Sequence, residues 1–195
     1  MKNILLELLP TQPKVGEVTF IAVDGHAGSG KSTLAKLLAE KLEAEIIHTD
    51  DFSGWDNPLN WWPNVIKEVF EPIKTSARLL SYQTVSWWEN HHPAPVENQP
   101  ITKIMILEGV SSSRKEFDDF ISYRIFVDTP KHICFERGLA RDTGTGKTKE
   151  ELNKIWEEWF KEEEEYIRRD NPKAKADLVI DGTKPLEDQI SFEVN

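Results

Sequence analysis

The chain has 195 residues, 38% hydrophobic and 30% charged, with 34 acidic side chains against 24 basic ones for a net charge of −10. That length suits a single domain, 1–195, with a substantial core, while the acidic balance argues against nucleic acid or a membrane surface as a partner. One cysteine, Cys134, excludes an internal disulfide and fits a reducing cytoplasm.

The N-terminal MKNILLELLP has an apolar face interrupted by Glu7 and Pro10. It lacks the basic start, long apolar stretch and small-residue cleavage site of a signal peptide. No apolar run nears the ~20 residues that cross a bilayer, so a soluble, cytoplasmic protein is expected. Residues 1–16 read as a short amphipathic turn of helix and a loop through Pro13 and Gly16. Phe20-Ile21-Ala22-Val23 is an apolar run of buried-strand type. Gly25-His26-Ala27-Gly28-Ser29-Gly30-Lys31-Ser32 follows and satisfies G-x-x-x-x-G-K-[ST] at every fixed position. Glycines let successive backbone N–H groups turn inward around phosphate oxygens, and the start of the next helix adds its dipole. Lys31 can reach the β- and γ-phosphates, and the Ser32 hydroxyl can sit on Mg²⁺. Leu34, Leu37, Leu38 and Leu42 then share one helical face. The pattern predicts that Gly25, Ala27, Gly28, Ser29, Gly30, Lys31, Ser32 and Thr33 hold a nucleoside triphosphate.

Ala44 to His48 reads as a second strand, ending at Thr49-Asp50-Asp51-Phe52. Acidic residues just past a strand's C-terminal end lie where open α/β sheets bind ligands. Residues 53–100 change character, with six prolines and Trp55, Trp61, Trp62, Trp87 and Trp88. One helix is expected between Pro63 and Pro72. The stretch is a substrate lid beside the strand ends, or an irregular core-packing insertion. Ile104 to Leu107 is a third strand, capped by Glu108-Gly109; an acid at that point commonly orients Mg²⁺ or its water shell, which makes Ser32, Asp50 and Glu108 the candidate metal-holding set. A short helix is expected over 115–121 and a fourth strand over Arg124–Asp128, with Thr129 capping a helix that begins at Pro130.

That helix carries Arg137 and Arg141 one turn apart, followed by the turn Thr143-Gly144-Thr145-Gly146-Lys147. The two guanidiniums close over transferring phosphates as a lid spanning about 137–150, or bridge in solvent to Glu136 or Asp142. Residues 149–169 form a strongly amphipathic helix, its apolar stripe made by Leu152, Ile155, Trp156, Trp159, Phe160, Tyr166 and Ile167. Glu157, Glu158 and Glu162 through Glu165 are assigned largely to its wet side. Asp177 to Ile180 is the last strand and Asp181-Gly182-Thr183 the turn after it. His91-His92 lacks metal-pair spacing, and His26 occupies a variable position of the phosphate-loop motif. Asp51-Phe52-Ser53-Gly54 matches D-x-x-G, yet no N-K-x-D is present, which counts against a GTPase.

Taken together, GHAGSGKST, HTDDF, ILEG, ERGLARD and ADLVIDGT in this order resemble the P-loop nucleoside and nucleotide kinases, particularly the uridine kinase and phosphoribulokinase group, over roughly residues 18–185. The resemblance implies an α/β three-layer P-loop fold: a five-stranded parallel sheet in the order 2-3-1-4-5, flanked by helices, with lid segments. It implies ATP and Mg²⁺ as cofactors and a small nucleoside-like or sugar-like acceptor, in a monomer or homodimer. Asp50 matches the aspartate of a D-x-F-Y pattern that acts as base on the acceptor hydroxyl. Arg137 and Arg141 match the lid arginines, and Asp181, Gly182 and Thr183 the turn beside the adenine. The pattern's tyrosine is Ser53 here, and Gln83 stands where many relatives have an acid, which puts uridine itself in doubt as acceptor. Two other readings stay open: a nucleotide-dependent switch with no small acceptor, and a kinase of a non-nucleoside metabolite such as a vitamin or sugar acid.

Overall fold

Short apolar runs separated by helices are the raw material of this chain, and the computed structural model, which describes residues 1–54, 58–85 and 95–192, assembles them as one parallel sheet. In chain order the elements are β1 (Lys2–Asn3), α1 (Ile4–Leu8), β2 (Thr19–Asp24), α2 (Lys31–Leu42), β3 (Glu45–His48), α3 (Trp62–Val65), α4 (Glu71–Lys74), β4 (Leu79–Tyr82) and β5 (Val96–Pro100). Then come β6 (Ile104–Glu108), β7 (Ile121–Asp128), α5 (Lys131–Asp142), α6 (Lys149–Asp170), α7 (Pro172–Lys175), β8 (Leu178–Asp181) and β9 (Ile190–Ser191).

The central sheet runs β3-β6-β2-β7-β8, all parallel. Counted along the chain, its five strands stand in the expected order 2-3-1-4-5, with the strand that feeds the glycine-rich loop in the middle. Burial explains that placement. Side chains of a strand alternate between faces, and β2 supplies Phe20 and Ala22 to one core, Ile21 and Val23 to the other. Only a central strand covered by helices on both sides needs apolar residues at every position. In register, Val23 and His48 each lie opposite Glu108, and Asp128 lies opposite Asp181. The polar ends of the strands therefore share one edge of the sheet.

The expected helix between the two prolines runs further, from Trp62 to Lys74, through a single π turn at Ile66–Phe70 that separates α3 from α4. There the Glu71 N–H bonds the Ile66 carbonyl five residues back. The wider turn accommodates Pro72, which has no N–H and would clash with the preceding turn of an ordinary helix. Over 115–121 only a 3₁₀ turn, Lys115–Phe117, forms before β7 begins. Thr129 does not cap α5: Pro130 takes that position, and the Thr129 hydroxyl donates instead to the Ser29 carbonyl at 2.8 Å. Two small pairings were not foreseen, antiparallel β4–β5 inside the proline-rich segment and parallel β1–β9. Trp55, Trp87, Trp88, His91 and His92, read above as lid and loop residues, lie outside the described residues.

Candidate active site

The loop after β2 is held from beneath by its own strand. Asp24 is completely buried and accepts four hydrogen bonds: Oδ1 from the N–H groups of Gly25 (2.7 Å) and Ser111 (3.1 Å), Oδ2 from the Ser113 N–H (2.8 Å) and the Tyr166 hydroxyl (2.6 Å). Gly28 has φ 78° and lies so close to α5 that a Cβ would stand 2.3 Å from the Cys134 carbonyl oxygen. Gly30 caps α2, which begins at Lys31. The N–H groups of a helix's first turn have no intrahelical partners and attract anions.

Around that loop the strand edge brings side chains together. The Ser32 hydroxyl donates to Glu108 Oε1 at 3.1 Å, and His48 Nδ1 pairs with Glu108 Oε2 at 2.7 Å. Lys31 Nζ donates to the His26 carbonyl at 2.8 Å. Burial pushes the Glu108 carboxyl up, but the His48 bond, Lys31 and Ser32 outweigh it and leave the group below its ordinary value. The same hydrogen bond raises His48, against burial. Asp50 sits on the 3₁₀ turn Thr49–Asp51 directly after β3. Its carboxylate faces the cavity and keeps solvent access, yet protein surrounds it. Desolvation, then the Glu108 charge, raises its pKa, while Lys31, Arg141 and His48 pull it down.

Ser32, Lys31, Glu108 and Asp50 border one cavity of about 740 Å³. On its walls lie Ala27, Gly28, Gly30, Lys31, Ser32, Thr33, Asp50, Glu108, Arg137 and Arg141. Arg137 also donates to the Gly182 carbonyl at 3.0 Å. Arg141 bonds Asp142 at 2.7 Å and lies over the Trp156 ring, and Trp156 in turn donates to Asp142. Gly25, Ser29, Asp181, Gly182 and Thr183 are not on the cavity wall. Ser29 is buried beneath the loop, and Asp181 is occupied with the Thr183 N–H and hydroxyl and with Lys184. Trp61 is 1% exposed in the core, against Phe117, so it backs the wall rather than offering a stacking face.

Three participants were missed. Glu163, assigned above to the wet side of α6, is 4% exposed; it bonds His26 Nδ1 at 2.8 Å and accepts from the Ala27 N–H at 3.3 Å. Its position was available in the spacing, since Phe160, Glu163 and Tyr166 recur every three residues on the buried stripe. Asp24 and Tyr166, which anchor the loop, carried no separate signal. For a metal, the chemistry of the donors is the test. Among the described residues no group of three or more His, Cys, Asp or Glu side chains could hold one. Hard oxygens do converge, from the Ser32 hydroxyl and the carboxylates of Glu108 and Asp50. That set suits Mg²⁺, which takes few protein ligands and completes its shell with water and phosphate.

A family model described as an AAA domain matches residues 21–176. Among curated proteins, a uridine kinase of Pasteurella multocida is 28% identical over 144 residues, covering 63% of this chain and 66% of that protein. A uridine kinase of Shewanella oneidensis is 24% identical over 158 residues, covering 70% of this chain and 74% of that one. Among solved structures, a possible uridine kinase from Bacillus stearothermophilus superposes with a TM-score of 0.56 at 20% identity, over 84% of this chain and 89% of that one. A sugar kinase from Janibacter sp. HTCC2649 gives 0.51 at 14% identity, over 88% and 89%. At these identities the structural likeness speaks for the fold.

Proposed function

The chain belongs to the AAA domain family, and on that footing we propose that it transfers the γ-phosphoryl group of ATP to a hydroxyl of a small nucleoside-like or sugar-like acceptor. The observation that carries this is the placement of Asp50: a carboxylate just past the end of β3, in the same cavity as the glycine-rich loop, Lys31, Arg137 and Arg141. The kinase names of the curated relatives support it.

Phosphoryl transfer asks for alignment and for neutralisation of charge on the transferring oxygens more than for covalent chemistry. The N–H groups of Gly28 to Thr33 and the positive end of α2 would cradle the β- and γ-phosphates. Lys31 would leave the His26 carbonyl for a phosphate oxygen, and Arg137 and Arg141 would approach from α5. Ser32, Glu108 and Asp50 would hold Mg²⁺, which would supply further neutralisation. Asp50 would orient the acceptor hydroxyl and take its proton. Its raised pKa, caused by burial and then the neighbouring Glu108, makes the carboxylate a stronger base than an ordinary one.

Replacing Asp50 by Asn tests this with two measurements, ATP binding by calorimetry and ADP release across nucleosides, sugars and small alcohols. Binding is expected to hold within a few-fold while acceptor-dependent turnover falls by ~10² to 10⁴. Transfer surviving within a few-fold would remove Asp50 as the base.

A further inference from the structure

The cavity's cations are gathered on one side. Its cationic side chains, Lys31, Arg137 and Arg141, all belong to the loop and α5. The opposite wall, from Asp50 and Asp51 through Ser53, Pro58 and Leu59 to Thr84 and Val85, carries two ionisable side chains among the described residues, the carboxylates of Asp50 and Asp51. Arg114, which reaches the Leu59 carbonyl at the back of that wall, is spent inside the protein. It is 1% exposed, donates to Glu116 and to the Leu59 carbonyl, and lies over the rings of Trp61 and Trp62. The cations of the 62–74 helix are engaged elsewhere too, Lys67 with Glu68 and Lys74 over the Phe120 ring. Composition repeats the pattern along the chain. From Asp50 to Ile66 and from Leu79 to Pro100 there is no lysine or arginine, against the five carboxylates of Asp50, Asp51, Asp56, Glu89 and Glu97.

Asp51 is also fixed in place. Tyr82 of β4 donates to its Oδ2 at 3.2 Å while stacking on Phe52 at 4.7 Å, and the Val85 N–H bonds the Asp51 carbonyl at 2.7 Å. A carboxylate held at a cavity wall offers its remaining lone pairs to hydroxyl or amino donors and repels a second anion. We infer that the acceptor presents hydrogen-bond donors and no negative charge to this wall, with Asp51 as the residue that turns away acids and phosphorylated compounds. The inference rests on the kinase proposal above and narrows it: sugar acids, carboxylated vitamins and sugar phosphates are poor acceptors, whereas polyols, nucleosides and amines are allowed.

The test uses matched acceptors that share the reacting hydroxyl and differ in one anionic group: uridine against orotidine, and pantothenyl alcohol against pantothenate. Within any pair that turns over, kcat/KM is expected to favour the uncharged member by about 100-fold, the size of a like-charge penalty at close range. Asp51→Asn is expected to narrow that ratio by about 10-fold while leaving the KM for ATP within about twofold. Parity within a pair, or a preference for its anionic member, overturns the inference and leaves the kinase proposal standing. A ratio unmoved by Asp51→Asn removes Asp51 as the selector. No turnover with any pair, neutral or charged, removes the kinase proposal and this inference together.

Discussion

Asp24→Asn probes how the phosphate loop is anchored, and its cost can be worked from the geometry. The wild-type carboxylate receives four donors on two oxygens. Burial pushes its pKa up, and the bonds from Tyr166, Ser113 and Gly25 pull against that. Asparagine keeps the shape but replaces one oxygen by an NH₂ group. The least costly orientation puts NH₂ opposite Tyr166, whose hydroxyl can turn round and accept; the Ser113 N–H then faces a donor with no acceptor. One buried N–H left unsatisfied costs ~1–3 kcal/mol, and the surviving bonds drop from charge-assisted strength to neutral strength. The sum is about 3 to 5 kcal/mol, a large share of an ordinary domain's stability. Urea unfolding of the two proteins at pH 7 measures it. Tyr166→Phe is the companion, removing one charge-assisted bond and leaving three, for about 1.5–3 kcal/mol. Should Asp24→Asn come within ~0.5 kcal/mol of wild type, Asp24 is protonated in the fold and the anchoring described above is wrong.

Gly138→Ala would place a Cβ 2.0 Å from the Trp156 ring, so overpacking between α5 and α6 is expected to lower stability by about 1–3 kcal/mol in the same unfolding assay. The His48–Glu108 pair gives a pH window. Glu108 lies below its ordinary 4.5 and His48 above its ordinary 6.5. The pair's stabilisation is therefore complete between those two values, lost in acid as pH falls through the folded value of Glu108, and lost in base as pH rises through that of His48. His48→Gln should flatten the basic limb of a stability-versus-pH curve and leave the acidic limb visible. Arg141→Met should cut kcat for transfer by ~10² with little change in ATP binding, measured by steady-state kinetics beside calorimetry; equal losses in both would make Arg141 a plain binding residue.

Much of this could be read from residues before any coordinates. The glycine-rich loop, the apolar runs at β2, β3, β6, β7 and β8, and the acids at 50 and 108 are local signals, because the chemistry that needs them is contiguous in the chain. What escaped was set by register and long range. Glu163 looked like one of four solvated glutamates at 162–165, and only the angular position of residue 163 against Phe160 and Tyr166 marks it as facing inward. Asp24 looked like the end of a strand, since its partners lie more than eighty residues away at Ser111, Ser113 and Tyr166. Pro72 suggested a stop for the helix, and a single wide turn at Ile66–Phe70 let the helix continue past it. The β4–β5 pairing was hidden by prolines, which remove ladder donors and so erase the usual strand pattern.

The close seat of Gly28 on Cys134, together with the Thr129 hydroxyl on the Ser29 carbonyl, makes the phosphate loop and the arginine-bearing helix one mechanical part. Cys134 acts as a fulcrum near one end of a lever, with Arg137 one turn and Arg141 about two turns further out, roughly 10 Å along the axis. Substitutions at this joint are therefore expected to displace the loop and the two arginines together, even where they touch no ligand.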